Sequence, residues 1–401
     1  MWPGVWTTVT VAIPVARGWK LASGEDTRQV GRVTGKGFDR VVFGPGSGVL
    51  LVLLAWLAGC APIQHEMILG TERLKPEQRP VWPSLPETPR YEYLGQLLGV
   101  RNFRISGDES LRTTRSALYW LAGIDDETGF EPERNLDLQR PVSGCVDREG
   151  RILVSDMGHA ALFVFNPRTG EFDIWRQAMA GQPFLAPVGV TEGGRGEYFV
   201  ADPELRLVVR LDAAGQPAGV IGRGELERPT GVAWNPEQRL LYVADSALDQ
   251  VKVFDRDGVL RHTIGKPGDQ DGEFNTPTHV AYARNQLVVA DTLNARIQIF
   301  DAEGRFVRTL GKRGNLIGDL ARPKGVAVDG EGNLYVVESF HDHLLIFNRE
   351  GQFLMPIGGT GQGLGEFYLP NGVWVDLAGR VFVADMFNGR VIILQFLGGD
   401  G

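Results

Sequence analysis

The sequence predicts an all-β fold, a six-bladed β-propeller, and three observations carry this prediction. Six similar segments follow one another between about residue 140 and residue 398. Each segment contains four short apolar stretches separated by Gly, Asn and Asp turn residues, as expected for four strands, a to d. Four antiparallel strands cannot bury both faces of their sheet alone, whereas radial repetition gives each sheet two neighbours.

The period of the repeat is set by an acidic residue at the end of strand b. The six acids are Asp156, Asp202, Asp245, Asp291, Glu338 and Asp385. Successive gaps are 46, 43, 46, 47 and 47 residues, and a large apolar residue follows nine positions after every acid. A single internal spacing in six copies indicates six blades.

The last copy ends near Gly398, after its third strand. The segment "RYEYLGQLLG" at 90–99 has the pattern of a fourth strand, such as "RFVRTLGKRG" at 305–314. We therefore predict that residues 91–98 complete blade six and close the ring, which would remove two open strand edges. The alternative is a short edge strand outside the ring.

Residues 100–139 form an insert between this strand and blade one. Leu111, Leu118, Leu121 and Ala122 can share one helix face, so the insert is predicted to contain a small helix. Packing against its own domain is the first interpretation. If the insert binds a partner instead, Tyr119 and Trp120 are the candidate contacts.

The N-terminal region, residues 1–59, is predicted to be a signal region with an over-extended translation start. The apolar run at 49–57 is too short for a membrane span but suits a signal sequence, and Lys36 and Arg40 supply a positive flank. "LAGC" at 57–60 resembles the bacterial lipoprotein signal box, which implies lipidation of Cys60. The alternative is a buried apolar helix with an incidental cysteine.

The resemblance implies that the protein is located in the cell envelope. Ala61 is not the aspartate of an inner-membrane retention signal, which favours the outer membrane, on the periplasmic or surface side. Residues 60–90 are rich in proline and charge, and we predict a semi-extended tether there. The folded domain would then span 91–398.

Charge and cysteine content exclude several classes. Residues 140–398 contain 26 Lys and Arg against 32 Asp and Glu, a net charge of −6, which argues against nucleic acid as a partner. The chain has two cysteines and no C-x-x-C-H, so it carries neither a disulfide framework nor a covalent c-type haem. We predict a monomer without a resident cofactor.

The candidate binding site is the mouth of the central channel, on the face where strand a begins and strand b ends. We call it the bc face, because it carries the turns between strands b and c. The six acids lie there and are predicted to accept hydrogen bonds from turn N–H groups. A cation site is the alternative.

Two further groups of residues belong to this face. Asn294 and Asn388 stand three positions after their acids, where Asn tolerates left-handed backbone, and His159 and His341 replace them in two copies. His341 and His343 would share one face if strand c began at His341. No third ligand is visible beside them, so a zinc site is the minor alternative.

His279 stands in "TPTHVAY", at the start of strand a. Ser143 and four glycines occupy the same position in the other copies. Peptidyl-amidoglycolate lyases resemble this propeller and place metal-binding histidines at such positions in several blades, whereas here one blade has it. Calcium-dependent propeller lactonases use Glu, Asn and Asp at the channel mouth. The Ser, Gly and His at the start of strand a do not supply that set.

The copies resemble NHL repeats from about Arg140 to Gly398, best in "ADTLNARIQIFD" at 290–301 and "ADMFNGRVIIL" at 384–394. The whole run is similar to bacterial NHL propellers that accompany multihaem cytochrome systems. This resemblance implies a non-catalytic, lipid-anchored scaffold that binds a protein partner, such as a multihaem cytochrome or its assembly machinery. The alternative is a metal-dependent hydrolase or lyase that uses His279, with bound Ca²⁺ or Zn²⁺.

Overall fold

A computed structural model of the chain describes residues 65–72, 74–105 and 136–398, and these residues form strands and turns without an α-helix. Four strands precede the repeat: β1 His65–Met67, β2 Val81–Trp82, β3 Tyr91–Leu97 and β4 Phe103–Ile105. Short 3₁₀ turns lie at Pro76–Gln78, Val100–Asn102, Gly194–Gly196, Thr292–Asn294 and Met386–Asn388.

The repeat folds into six antiparallel sheets, the blades of a propeller, as predicted. Blade one is β5 Pro141–Val146, β6 Ile152–Asp156, β7 Ala161–Asn166 and β8 Glu171–Trp175, and a small hairpin, β9 Gln177–Met179 and β10 Gln182–Pro183, follows it. Blade two is β11 Val190–Glu192, β12 Tyr198–Asp202, β13 Leu207–Leu211 and β14 Pro217–Ile221. Blade three is β15 Pro229–Asn235, β16 Leu240–Asp245, β17 Gln250–Asp255 and β18 Leu260–Ile264.

The second half of the ring repeats the same order. Blade four is β19 Pro277–Ala283, β20 Gln286–Asp291, β21 Arg296–Asp301 and β22 Phe306–Leu310. Blade five is β23 Pro323–Val328, β24 Leu334–Glu338, β25 His343–Phe347 and β26 Phe353–Gly358. Blade six takes its first three strands from the C-terminal end: β27 Val373–Val375, β28 Arg380–Asp385 and β29 Arg390–Phe396.

The N-terminal strand β3 supplies the fourth strand of blade six. It runs antiparallel to β29, with Val391 opposite Leu97 and Phe396 opposite Tyr91. The Tyr91 hydroxyl also lies 3.0 Å from the Tyr335 hydroxyl of blade five. The predicted closure of the ring is therefore confirmed, and both ends of the propeller lie in one sheet.

The segment in front of β3 differs from the predicted tether. From His65 onward the segment is held against the propeller by strand pairing, since β2 pairs with β3 and β1 pairs with β4. Met67 and Leu69 pack against the core between blades six and one. Burial of these side chains favours a docked segment over an extended one, so the tether prediction is wrong for residues 65–90.

The described ends of the insert contain no helix. Residues 100–105 form a 3₁₀ turn and β4, and Asn102 fixes this corner by donating from Nδ2 to the carbonyl oxygens of Ile68 and Gln96. The predicted helix, with Tyr119 and Trp120, lies outside the described residues. The same holds for the signal region and Cys60.

The hydrophobic core is divided into six clusters, one at each interface between neighbouring blades. One of them joins Phe382 and Ile393 of blade six to Ile152 and Phe163 of blade one. Because a cluster fills this interface as well, the ring is closed by side-chain packing and not only by strand pairing.

Small residues let the six innermost strands approach one another at the axis. A Cβ added to Gly231 would lie 2.7 Å from the Cα of His279 in the next blade. A Cβ on Gly325 would lie 2.7 Å from backbone atoms of blade six. The glycines at the start of strand a are therefore explained by backbone packing around the channel.

Candidate functional site

The six repeat acids end strand b of their blades on the bc face, and every one of them is at most 1% exposed. Asp245 shows how they are used. Its carboxylate accepts backbone N–H groups of Glu227 and Arg228 before strand a, and of Ala247 and Leu248 in the following turn. The carboxylate thus holds the two loops of its blade together, as predicted from the sequence.

The other acids make the same kind of contact. Asp156 and Asp202 also accept from both loops of their blades, and Glu338 accepts from the backbone of Arg322 and His341. Because the carboxylate oxygens are buried and already bonded, the ring of acids does not form an open cation site.

In blades four and six, side chains replace some of these backbone donors. Asn294 and Arg296 donate to Asp291, and Asn388 and Arg390 donate to Asp385. The same Asn and Arg side chains bind carbonyl oxygens of the loop arriving from the preceding blade, such as Gly268 and Gly361. They therefore connect neighbouring blades at the rim of the bc face.

The prediction of left-handed backbone at Asn294 and Asn388 is wrong by one residue. The left-handed residues are Ala295, with φ of 56°, and Gly389, with φ of 62°. Each Asn lies in the last position of a 3₁₀ turn instead, and this places its side chain against the acid. The side-chain amide, and not conformational tolerance, explains why Asn occurs at this position.

The histidines of the turns have local partners. The His159 ring lies 2.7 Å from the Asp137 carbonyl, and His341 contacts Glu338 through Nδ1 at 2.9 Å. Strand β25 begins at His343, so His341 belongs to the turn and the two rings do not share a strand face. Both line a small cavity of about 50 Å³ together with residues 315–319.

His279 lines the central channel, a cavity of about 290 Å³ bounded by the innermost strands of all six blades. Its ring makes no hydrogen bond to another residue in the described part of the chain. Burial among the strands lowers its pKa from 6.5 to about 4, so the ring is neutral at pH 7. Ser143, its counterpart in blade one, is buried and pairs through its backbone with Ser155.

A basic mouth lies above the channel on the bc face, and sequence analysis did not identify it. Arg228 and Arg322 directly precede strand a in blades three and five, and Lys324 follows in β23. Burial lowers the pKa of Lys324, and the charges of Arg322 and Arg228 lower it further. The starts of strand a in blades three, four and five are linked by hydrogen bonds from Thr230 to Pro277 and from Thr278 to Lys324, so Arg228 lies near Lys324 although their blades are not adjacent. The Arg-Pro pairs of alternate copies were the available signal.

Beside this mouth the bc face carries exposed apolar side chains, which we call the apolar crescent. They are between 41% and 73% exposed and come from the turns and blade connections of blades four to six: Leu293, Leu316, Ile317, Phe340, Leu364, Tyr368 and Phe387. Tyr368 and Phe387 form an edge-to-face pair with centroids 5.7 Å apart. The sequence signal was the apolar residue two positions after the acid in the last three copies.

The fold and this face define the class of the protein as a six-bladed β-propeller. Residues 322–399 match the family DUF5128, described as a 6-bladed beta-propeller. A comparison with curated proteins gives no match.

Several solved structures are similar to this chain in fold. A protein of unknown function from Bacteroides thetaiotaomicron has 14% identity and a TM-score of 0.50, over 65% of this chain and 70% of that one. Virginiamycin B lyase from Staphylococcus aureus has 13% identity and a TM-score of 0.49, over 65% and 96% of the two chains. Hydrazine synthase of Kuenenia stuttgartiensis has 15% identity and a TM-score of 0.48, over 67% and 99%.

Two other features of the described residues bear on the site. No group of three or more His, Cys, Asp or Glu side chains in residues 65–72, 74–105 and 136–398 is arranged to hold a metal ion. Within the same residues, no helix has the length and hydropathy needed to cross a membrane. Cys145, the cysteine within the described residues, lies half-buried in β5, where burial raises the pKa of its thiol.

Proposed function

We propose that this propeller is a non-catalytic scaffold that binds a partner protein on its bc face. The observation that carries the proposal is the apolar crescent. Seven of the sixteen large apolar side chains that are exposed in the described residues lie on one half of this face. Large exposed apolar patches on soluble domains mark interaction sites, and aromatic side chains such as Phe340 and Phe387 are frequent anchors.

The basic mouth gives the partner a chemical description. Arg228 and Arg322 are exposed and have no side-chain partner in the described residues, in a chain whose net charge is −8. A partner that places apolar side chains on the crescent and carboxylates over the mouth would complement both features. The buried acids support a non-catalytic role for the same face, because turn N–H groups already occupy them.

The cellular location of the protein and the class of its partner are part of the same proposal. Cys60 is the lipidation site, which anchors the protein to a bacterial membrane, with the outer membrane favoured. A multihaem cytochrome or its assembly machinery is the partner class that the NHL resemblance implies. A non-catalytic role is what this arrangement of bonded acids and exposed apolar side chains favours.

The binding surface is tested by capture from native membranes with a double variant, Phe340→Glu and Phe387→Glu. Two carboxylates on the crescent should reduce the recovery of the partner at least about tenfold, because they become desolvated on binding. Leu377→Glu is the matched control, since Leu377 is fully exposed in the turn between β27 and β28 on the opposite face. Equal recovery with both variants would reject the crescent as the binding surface.

The anchor is tested by metabolic labelling with palmitate in the natural host. Label should enter the wild-type chain and should be absent from the Cys60→Ala variant, because the thiol of Cys60 is the proposed attachment point. Cys145→Ala, which removes the other cysteine of the chain, is the control and should keep the label. Labelling that survives Cys60→Ala would end this part of the proposal.

A further inference from the structure

A second cavity, independent of the proposed docking surface, lies on the opposite side of the ring. This side carries the turns between strands a and b, and we call it the ab face. The cavity measures about 230 Å³, and its lining residues are Arg148, Gly194, Arg195, Trp234, Pro236, Arg239 and Arg256. Turns of blades one, two and three contribute to it, and four of these seven residues are arginines.

Within the described residues, two of the arginines have acidic partners and two have none. Arg256 forms a bidentate ion pair with Glu197, with N–O distances of 2.6 and 3.2 Å. Arg148 Nε lies 3.9 Å from Glu192 Oε1, too far for a hydrogen bond. Arg195 and Arg239 are exposed and make no side-chain hydrogen bond or ion pair with another described residue. The cavity is therefore a concentrated positive site in an acidic chain.

Trp234 adds an unused hydrogen-bond donor to the wall. The residue is 9% exposed and its ring stacks on Phe199, with centroids 5.4 Å apart and an interplanar angle of 25°. Its indole Nε1 is buried and has no acceptor in the described part of the protein. Buried indole N–H groups normally find a partner, and this nitrogen lies 4.0 Å from the position that a Cβ on Gly194 would take in the same wall, so we assign the donor to the cavity.

The backbone that carries the two free arginines is also unusual. Arg195 and Arg239 have φ of 66° and 59°, in the left-handed region. Arg239 stands six residues before its repeat acid, a position taken by the left-handed glycines Gly150, Gly196, Gly332 and Gly379 in blades one, two, five and six, and Arg195 directly precedes Gly196. Arginine in this conformation is strained, and such strain concentrates at functional sites. Arg239 thus stands at the cavity where four other blades use glycine, and Arg195 adds a second left-handed arginine beside it.

We propose that this cavity binds a phosphate-type oxyanion. A phosphoryl group offers three or four acceptor oxygens, which matches several guanidinium groups and one indole N–H better than the two oxygens of a carboxylate. Guanidinium groups bind phosphate with paired, charge-assisted hydrogen bonds. The volume suits a single phosphoryl group, because sites for larger ligands occupy about 300–1,000 Å³. The source is either free phosphate or a small phosphomonoester.

The test is titration calorimetry on the whole protein at low ionic strength, with inorganic phosphate, glycerol phosphate and acetate as probes. Phosphate or glycerol phosphate should bind, and acetate should bind at least about tenfold more weakly because it lacks the third oxygen. Tighter binding of glycerol phosphate identifies a phosphomonoester site, and tighter binding of phosphate identifies the free ion. Absence of heat with both, or equal affinity for acetate, overturns the proposal.

Two variants and a matched control assign the binding to this cavity. The double variant Arg195→Gln and Arg239→Gln should weaken phosphate binding at least about tenfold, and Trp234→Phe, which keeps an aromatic ring but removes the indole N–H donor, should weaken it by a few fold. Arg206→Gln is the control, since Arg206 is likewise exposed and left-handed, with φ of 56°, but lies on the bc face. Unchanged affinity in the double variant would overturn the assignment, while partner capture on the bc face would be unaffected by either result.

Discussion

The side chains around the channel show how one position in a repeat acquires different properties. Five copies place a glycine or a serine at the start of strand a, where backbones pack closely, and blade four places His279 there. The ring lines the narrow channel and is partly exposed to it, so the surrounding strands remove part of its water and the channel keeps the rest. His279 is therefore a titratable group of the channel whose charge at mildly acidic pH depends on the fold.

This burial predicts an acid dependence of stability. The unfolded chain protonates His279 near pH 6.5, whereas the folded protein does so only near pH 4. Between these values the unfolded state binds more protons, so the free energy of unfolding falls as the pH falls. At pH 7 this contribution is fully present.

The measurement is denaturant unfolding of the wild type and His279→Gln at several pH values between 7 and 4. The stability of the wild type relative to the variant should fall by roughly 1–2 kcal/mol over this range, below the limit of about 1.36 kcal/mol per pH unit because channel water screens the charge. A difference that does not change with pH would show that the folded ring protonates as freely as the unfolded one.

At the scale of single strands, β3 completes blade six although it is far from the last repeat in the sequence. Leu97 lies opposite Val391 and is fully buried between blades six and one. Leu310 has the same place in blade four, opposite Ile297. The two leucines therefore allow the closing strand to be compared with an ordinary fourth strand.

Leu97→Ala should cost about 2–5 kcal/mol of the free energy of unfolding, the usual range for a buried leucine. Leu310→Ala should cost a similar amount, within about 1 kcal/mol, if both strands contribute equally to the ring. Urea unfolding of the two variants makes the comparison. A loss below about 0.5 kcal/mol for Leu97→Ala alone would mean that β3 is peripheral to the folded ring.

The strands show which parts of the fold were accessible from sequence. The period, the six acids and the pattern at 90–99 predicted the blades and their closure, because each reflects a contact repeated in every copy. The docking of residues 65–90 was not predictable, since β1 and β2 have two or three residues and no internal period. The left-handed turn residue was misplaced by one position because Asn suits both roles.

For the whole molecule, the two faces of the ring have different chemistry. The bc face combines a basic mouth with the apolar crescent, and the ab face carries the arginine cavity. Neither surface could be predicted from the repeat, because both arise from residues that differ between copies and come together from three consecutive blades. A repeat pattern reports what the blades share, whereas binding depends on where they differ.

The central claim is that a partner protein contacts the apolar crescent. It is tested most directly by placing a photo-crosslinking amino acid at Phe340 or, as the control, at Leu377, and irradiating native membranes. We predict a discrete cross-linked species from position 340 and none from position 377. Cross-linking from position 377 alone, or from neither position, would contradict the claim.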